Sequence, residues 1–274
     1  MNLHNALWLR NLRAATLLVC AAIPAWPQQQ ESRPDRAKRV VDEAVQALGG
    51  DAFLTLQDRT EFGRMYSFDS GRLGGGSWAT VYTQYLTPVP GKFSVRIRQL
   101  FGKDQDEGGF LITPDGAWNT SFRGARPLDD AEAATYRDTT LRGIFYILRQ
   151  RLNEPGISFY SQGGDIFEHN PVEIVDIADA ANVTVTVYFD RFTHLPLRQT
   201  FRRRNTQFND FDVEVTAFAK YRNVKGVMLP LETRRERNGQ KIFELFVETE
   251  EINKGLRDEI FTLPANLKIL PKAK

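Results

Sequence analysis

Histidine and cysteine are few in this sequence, and the carboxylates, plentiful at 34 Asp and Glu, stand in no spacing that singles out a catalytic pair. Of three histidines and one cysteine, His4 and Cys20 lie in the first 25 residues, leaving His169 and His194. Neither has a second histidine or a cysteine at metal-ligand spacing, so no metal site is expected. His169 stands in Glu168-His169-Asn170-Pro171 and His194 just before Leu195-Pro196, contexts that predict exposed turn residues with no partner for general-base work. Ser77 follows Gly74-Gly75-Gly76, but Ala79 stands where a nucleophile elbow needs its closing glycine, and the run lacks the lysine of a phosphate loop. Asp129-Asp130 reads as a helix start, and Glu248, Glu250 and Glu251 as a solvated strand edge. The expectation is a protein with no catalytic centre, no metal and no cofactor; a hydrolase would need scattered carboxylates to converge in a cleft with raised pKa values.

Arg202-Arg203-Arg204 is either an anion site or a wet sheet face. If Leu195 to Arg204 and Asp210 to Lys220 form a hairpin with a loop of 205–209, Arg204 meets Asp210, Arg202 meets Asp212 and Phe201 meets Val213. Cross-strand ion pairs of roughly 0.2–1 kcal/mol each then account for two of the three arginines, which favours the solvated face. The formal net charge of +2 includes Arg10 and Arg13. Without those two it is about zero, which offers nucleic acid or an anionic membrane no overall field to follow.

Arg10 and Arg13 belong to an opening, residues 1–25, that has no acidic residue and carries the apolar run Ala14 to Ile23. That is the layout of a secretory signal peptide cleaved near Ala25. The run is shorter than the roughly 20 residues a membrane-spanning helix needs. Leu17-Leu18-Val19-Cys20 is a poor lipidation site, because bulky Val19 stands where a small residue belongs. Residues 26–34, Gln-rich with two prolines, read as a flexible leader, and 35–270 as a single domain. Periplasmic or secreted localisation follows.

The elements that remain are mostly strands. A first helix is expected over Asp35 to Leu48, with Ala37, Val40, Val41, Ala44, Val45 and Leu48 on one side and Gly49-Gly50 ending it. Alternation then takes over. In Lys92 to Arg98, Phe93, Val95 and Ile97 share one face and the polar residues the other; the pattern recurs at Val183 to Phe189, at Phe211, Val213, Val215 and Ala217, and at Phe243, Leu245 and Val247. Such one-sided strands predict an antiparallel sheet covered on a single face. Turns are expected at Asp115-Gly116, Gly163-Gly164 and Asn238-Gly239, the last as a three-residue loop with a glycine bulge placing Leu229 and Leu231 beside Leu245 and Val247. Leu73 to Ser77 reads as a hairpin tip. One helical insertion, Asp129 to Leu152, carries Leu141, Ile144, Phe145, Leu148 and Leu152 at helical spacing and is expected to cover the apolar face.

The layout resembles the outer-membrane lipoprotein carrier superfamily, the LolA/LolB-like fold with its mycobacterial lipid-binding relatives. The resemblance lies in the signal peptide, the helix ending Ala47-Leu48-Gly49-Gly50, and the meander Val187-Tyr188-Phe189-Asp190 through Thr193 to Leu195-Pro196-Leu197-Arg198. It continues in Tyr221 to Pro230 and in Glu251-Ile252-Asn253 with Phe261-Thr262-Leu263-Pro264. It implies a mainly β (α+β) protein, a curved antiparallel half-barrel of about ten strands whose concave face is covered by helices and encloses acyl chains. The cavity is then expected to be lined by Phe93, Val95, Ile97, Trp118, Phe145, Leu148, Val213, Val215, Phe243 and Leu245. The expected partners are lipid or an acylated protein, with transient docking at a membrane or a membrane protein and no nucleic acid. The rival reading is a non-catalytic cell-envelope structural or sensing module that binds a protein partner. Intact-mass analysis of the exported protein should give a chain beginning at Trp26, with no titratable thiol; retention of Cys20 would overturn the cleavage assignment.

Overall fold

Helix α1 (Arg33–Leu48) starts where Ser32 caps it, the Ser32 hydroxyl accepting the Asp35 amide at 3.3 Å, with Pro34 in the first turn. The computed structural model describes residues 31–272 except Thr206 and Gln207, so the expected signal peptide over 1–25 and most of the expected leader over 26–34 lie outside the described residues. The helix therefore begins two residues earlier than the pattern predicts, and its buried side chains are the six expected ones, Ala37, Val40, Val41, Ala44, Val45 and Leu48. Gly49 ends it at φ 125°, where a Cβ would stand 2.4 Å from the Gly226 carbonyl oxygen. Only glycine lets the helix end so close to that turn. A short α2 (Asp51–Leu54) follows.

The rest is one antiparallel sheet. Its first half is β1 (Asp58–Asp69), β2 (Arg72–Tyr85), β3 (Val95–Phe101), β4 (Gly109–Thr113), β5 (Gly116–Ser121) and β6 (Gly124–Pro127). Its second half is β7 (Ser158–Phe167), β8 (Asn170–Ala178), β9 (Thr184–Asp190), β10 (Pro196–Asn205), β11 (Asp210–Val224), β12 (Val227–Arg237) and β13 (Gln240–Ile252). The order β6-β5-β4-β3-β2-β1-β13-β12-β11-β10-β9-β8-β7 describes two meanders joined along β1 and β13, with β6 and β7 at the two ends and residues 268–270 bridging to Ala125 of β6. There are thirteen strands rather than about ten. The excess comes from β4 to β6, four to six residues each, too short for alternation to register.

Several turns differ from expectation. Gly163 and Gly164 lie inside β7 at a bulge, and the hairpin turns at Glu168-His169. Gly74 to Gly76 lie inside β2, the turn falling at Ser70-Gly71. Asn238-Gly239 makes a two-residue turn, both residues at positive φ, and the bulge sits within the ladder at Arg235/Glu236. Thr233 thereby opposes Leu245, so Leu229 and Leu231 do share the face of Leu245 and Val247. Asp115 lies in the β4–β5 turn as predicted, and both histidines sit in turns at positive φ.

Between the meanders the chain forms α3 (Asp130–Leu141), capped by Asp129, whose carboxylate accepts the Glu132 amide at 2.7 Å. It breaks at Arg142-Gly143 and resumes as α4 (Ile144–Tyr146) and a π-helical turn over Ile147–Arg151. Gln199 of β10 holds the break, its Oε1 accepting the Ile144 amide at 2.6 Å and its Nε2 donating to the Arg142 carbonyl at 3.1 Å. The main core joins α1, Ile144, Ile147 and Leu148 to Val175, Ile177, Val185, Val187, Phe189, Phe201, Phe218 and Leu229. Leu48, wholly buried there, should cost about 2–5 kcal/mol as Leu48→Ala, read from urea unfolding.

Candidate functional site

Strand register shows which side chains share the core's face. Gln99 opposes Val81 and Phe110, Phe101 opposes Ala79, and Met65 opposes both Ser77 and Leu245. Alternation then puts Met65, Val81, Ile97, Gln99, Phe101, Phe110, Phe243 and Leu245 on one side of β4, β3, β2, β1 and β13. They lie between the main core and a second cluster formed by Phe93, Val95, Ile112, Ala117, Leu128 and Tyr146. Leu245 is buried, but Met65, Val81, Ile97, Phe101, Phe110 and Phe243 are only half-buried.

The element above them explains why. α3 buries no side chain. It is held by several contacts: Tyr136 meets the Phe110 ring at 5.5 Å, Ala133 and Leu141 pack on the second cluster, Arg137 donates to the Thr113 carbonyl at 3.3 Å, Lys272 reaches Asp130 at 2.7 Å, and Arg203 of β10 donates to Asp138 at 2.8 Å and to Thr139 Oγ1 at 2.7 Å. Its continuation is tighter, since Phe145 packs edge-to-face on Phe218 at 5.0 Å and Leu148 is wholly buried. No side chain of α3 buries itself there, so the half-buried apolar side chains form a strip, the trough, that stays partly open to solvent.

Of the ten residues expected to line a cavity, Ile97, Phe243 and Leu245 lie on this face, Ile97 packing on the second cluster, while Phe145 lies on α4 and packs on Phe218 and Tyr221 beside the main core. Phe93, Val95 and Leu148 are packed in the flanking clusters. Trp118, Val213 and Val215 are not on it. Trp118 opposes Leu111, whereas Ile112 and Ala117 face the cluster. The β10–β11 loop is one residue shorter than predicted, so Asn205 pairs with Asp210, Arg203 with Asp212 and Phe201 with Glu214. This one-residue shift turns Glu214 inward and leaves Val213 exposed. Alternation along β10 splits the arginine run in either register: Arg202 and Arg204 lie outward over the Phe211 ring, while Arg203 points inward with Phe201.

Two buried charge groups on this face were not legible in the sequence. On the floor, Arg59 donates through Nε to Glu250 and through a terminal nitrogen to Glu61 at 2.8 Å. Glu250 was expected to be wet. A register shift at Phe62/Gly63 reverses the alternation of β13 beyond Val247 and carries it inside, leaving its Oε2 buried without a partner. Burial, opposed by Arg59, lifts the Glu250 carboxyl above its ordinary value; Arg59 stays charged because Glu61 and Glu250 outweigh its own burial. Burial likewise raises Tyr85, beside this group. At the other margin, Glu214 accepts Arg237 at 2.9 Å, with Arg203 at 3.4 Å and Arg235 at 3.6 Å. Among the described residues no three His, Cys, Asp or Glu side chains converge as a metal site, and no helix is long and apolar enough to cross a membrane.

No protein-family model and no curated protein matches the sequence. Solved structures do match. A DUF1329 family protein from Desulfovibrio piger superposes with a TM-score of 0.58 at 15% identity, over 84% of this chain and 98% of that one. A domain named for outer membrane lipoprotein sorting, from Vibrio parahaemolyticus, gives 0.53 at 12% identity, over 82% and 97%. The chain has the LolA-like fold. At these identities the likeness is one of architecture, and the LolA-like sheet leaves the chemistry of the trough to this chain's own residues.

Removing Arg59 strands two buried carboxylates, so Arg59→Met should cost about 3–5 kcal/mol, with part regained in Arg59→Met/Glu250→Gln. The folded Glu250 carboxyl holds its proton at pH values above the ordinary 4.5. The folded state therefore binds more protons there, and stability falls as pH rises through that window. Urea titrations across it should show this slope shrinking in Glu250→Gln; an unchanged slope would assign it elsewhere.

Proposed function

We propose that the protein is an exported, non-catalytic carrier for lipids or the acyl chains of lipoproteins, which it holds in the trough beneath α3. The observation that supports this reading most is α3 itself, fastened at Tyr136 and Arg203 while burying none of its side chains over half-buried apolar residues. A core helix would be packed; a cover over a guest need not be. In this reading the sheet curves into a half-barrel with the trough on its concave side. Residues 1–25 are removed on export, 26–34 form a leader, and 35–270 act as one domain in the periplasm or outside the cell, docking transiently at a membrane. No metal or cofactor takes part. The lipoprotein-sorting name of the Vibrio structure agrees with a cargo of this kind.

A second reading, a cell-envelope module that binds a protein partner, draws on the opposite face. There a groove of about 700 Å³ runs between Thr184, Thr186, Thr200, Arg202, Phe211 and Val213, and Phe208 nearby is 71% exposed. An Arg202→Glu/Phe211→Ser variant that loses a bound envelope protein but keeps lipid uptake would favour it.

The carrier reading is tested by organic extraction of purified protein with mass spectrometry, and by uptake of a fluorescent fatty acid. Lipid should co-purify, and Phe243→Ser should weaken uptake about ten- to a hundredfold, the loss of one large apolar contact. Protein that carries no lipid and takes up no probe would rule the reading out.

A further inference from the structure

The margin of the trough at β10, β11 and β12 carries more cationic donors than it uses. Arg235 directly opposes Phe243 on β13 and Thr216 on β11, so it stands on the trough's face next to an apolar lining residue. Its side chain is only 25% exposed. Its nearest carboxylate oxygen, on Glu214, is 3.6 Å away, beyond hydrogen-bonding distance. Glu214 is instead bonded to Arg237 at 2.9 Å, with Arg203 at 3.4 Å on the same oxygen. A guanidinium has five N–H donors and ordinarily finds acceptors when it is withdrawn from water. That of Arg235 is only partly withdrawn, its nitrogens keeping some access to solvent, and it makes no hydrogen bond within the described protein. Burial, opposed by Glu214 and reinforced by Arg203 and Arg237, holds its pKa below the ordinary arginine value, so the acidic groups nearby do not offset its desolvation.

Neighbouring groups have spare capacity of the same kind. Arg203 leaves its buried Nε without a hydrogen bond. Tyr136, on the underside of α3, lies within electrostatic reach of Arg235, and its hydroxyl makes no hydrogen bond within the described protein. The acidic groups around this margin are Glu214, Glu132, which faces Tyr136 from α3, Asp138, which is engaged by Arg203 and Arg142 at 2.8 Å each, and Asp212, which is engaged by Asn205 and Asn238. None of them reaches Arg235 with a hydrogen bond.

We infer that the trough selects anionic amphiphiles, laying the chain along Met65, Phe101, Phe243 and Leu245 and placing carboxylate or phosphate oxygens on Arg235, with the Arg203 Nε and the Tyr136 hydroxyl beside them. This rests on the carrier reading and specifies the head group of its cargo. A planar guanidinium takes two oxygens of such a head at once, which gives direction as well as attraction. The head also meets the cover helix, so an anionic cargo adds a tie to α3.

The test compares pyrene-decanoic acid with pyrene-decanol at about pH 8, where the acid is ionised, on the full mature chain. The acid should bind about tenfold more tightly than the alcohol, the scale of one charge-assisted hydrogen-bonded contact. Arg235→Gln should bring the acid down to the alcohol's affinity and leave the alcohol unchanged, which also reports an intact fold; Arg235→Lys should keep part of the preference. Equal binding of acid and alcohol by the unaltered protein overturns the inference and leaves the carrier reading standing, whereas binding of neither overturns both. Inorganic phosphate at millimolar concentration should fail to displace the acid. Full displacement would mark a free-anion site and overturn the assignment to an amphiphile.

Discussion

The antiparallel pairing of β1 with β13 is the contact on which the rest depends. Each meander follows from local hairpins, but only this ladder, joining residues nearly 200 apart in sequence, makes them one sheet with one covered face. It is pinned at its end by Asp58, whose carboxylate accepts the Lys254 amide at 2.7 Å and the Gly255 amide at 2.8 Å, and by Asn253, which accepts the Gln57 amide at 2.8 Å. Gly63 sits at the register shift in that ladder, where a Cβ would be 2.0 Å from the Phe246 carbonyl oxygen. The close approach that glycine permits there is coupled to the inward turn of Glu250, and so to the buried ion pair with Arg59.

Cover over the face is uneven, and the unevenness follows from side-chain composition. α1 presents six apolar side chains along one stripe and is packed down. α3 has alanines, threonines and one tyrosine among its acidic and basic residues, too little apolar surface to bury itself. Its place is kept by the partial packing of Ala133, Tyr136 and Leu141 together with polar contacts, while the break at Gly143, held by Gln199, lets the following turns drive Phe145 and Leu148 into the core. A rigid half and a loosely covered half thus share one sheet.

Charge is distributed to match. Outward arginines at 202 and 204 rest on an exposed phenylalanine, whereas inward Arg59, Arg203 and Arg235 stand at the floor and margin of an otherwise apolar space. Desolvated charges of this kind cost stability unless compensated. Arg59 is compensated by two carboxylates; Arg235 is not, and that asymmetry separates a structural ion pair from a group waiting on a ligand.

Composition and periodicity alone determined the mainly β class, the first helix with all six of its buried residues, the capped helical insertion after β6, and the inward faces of β3, β9 and β13 up to Val247. These are local properties, carried by spacing of 2 or 3.6 residues, and any packing must respect them. Only the tertiary structure decided the faces of Val213, Val215, Glu214 and Glu250. In each case the side of the sheet hangs on a register, and a single bulge or a loop shorter by one residue reverses it without altering the alternation along the strand itself.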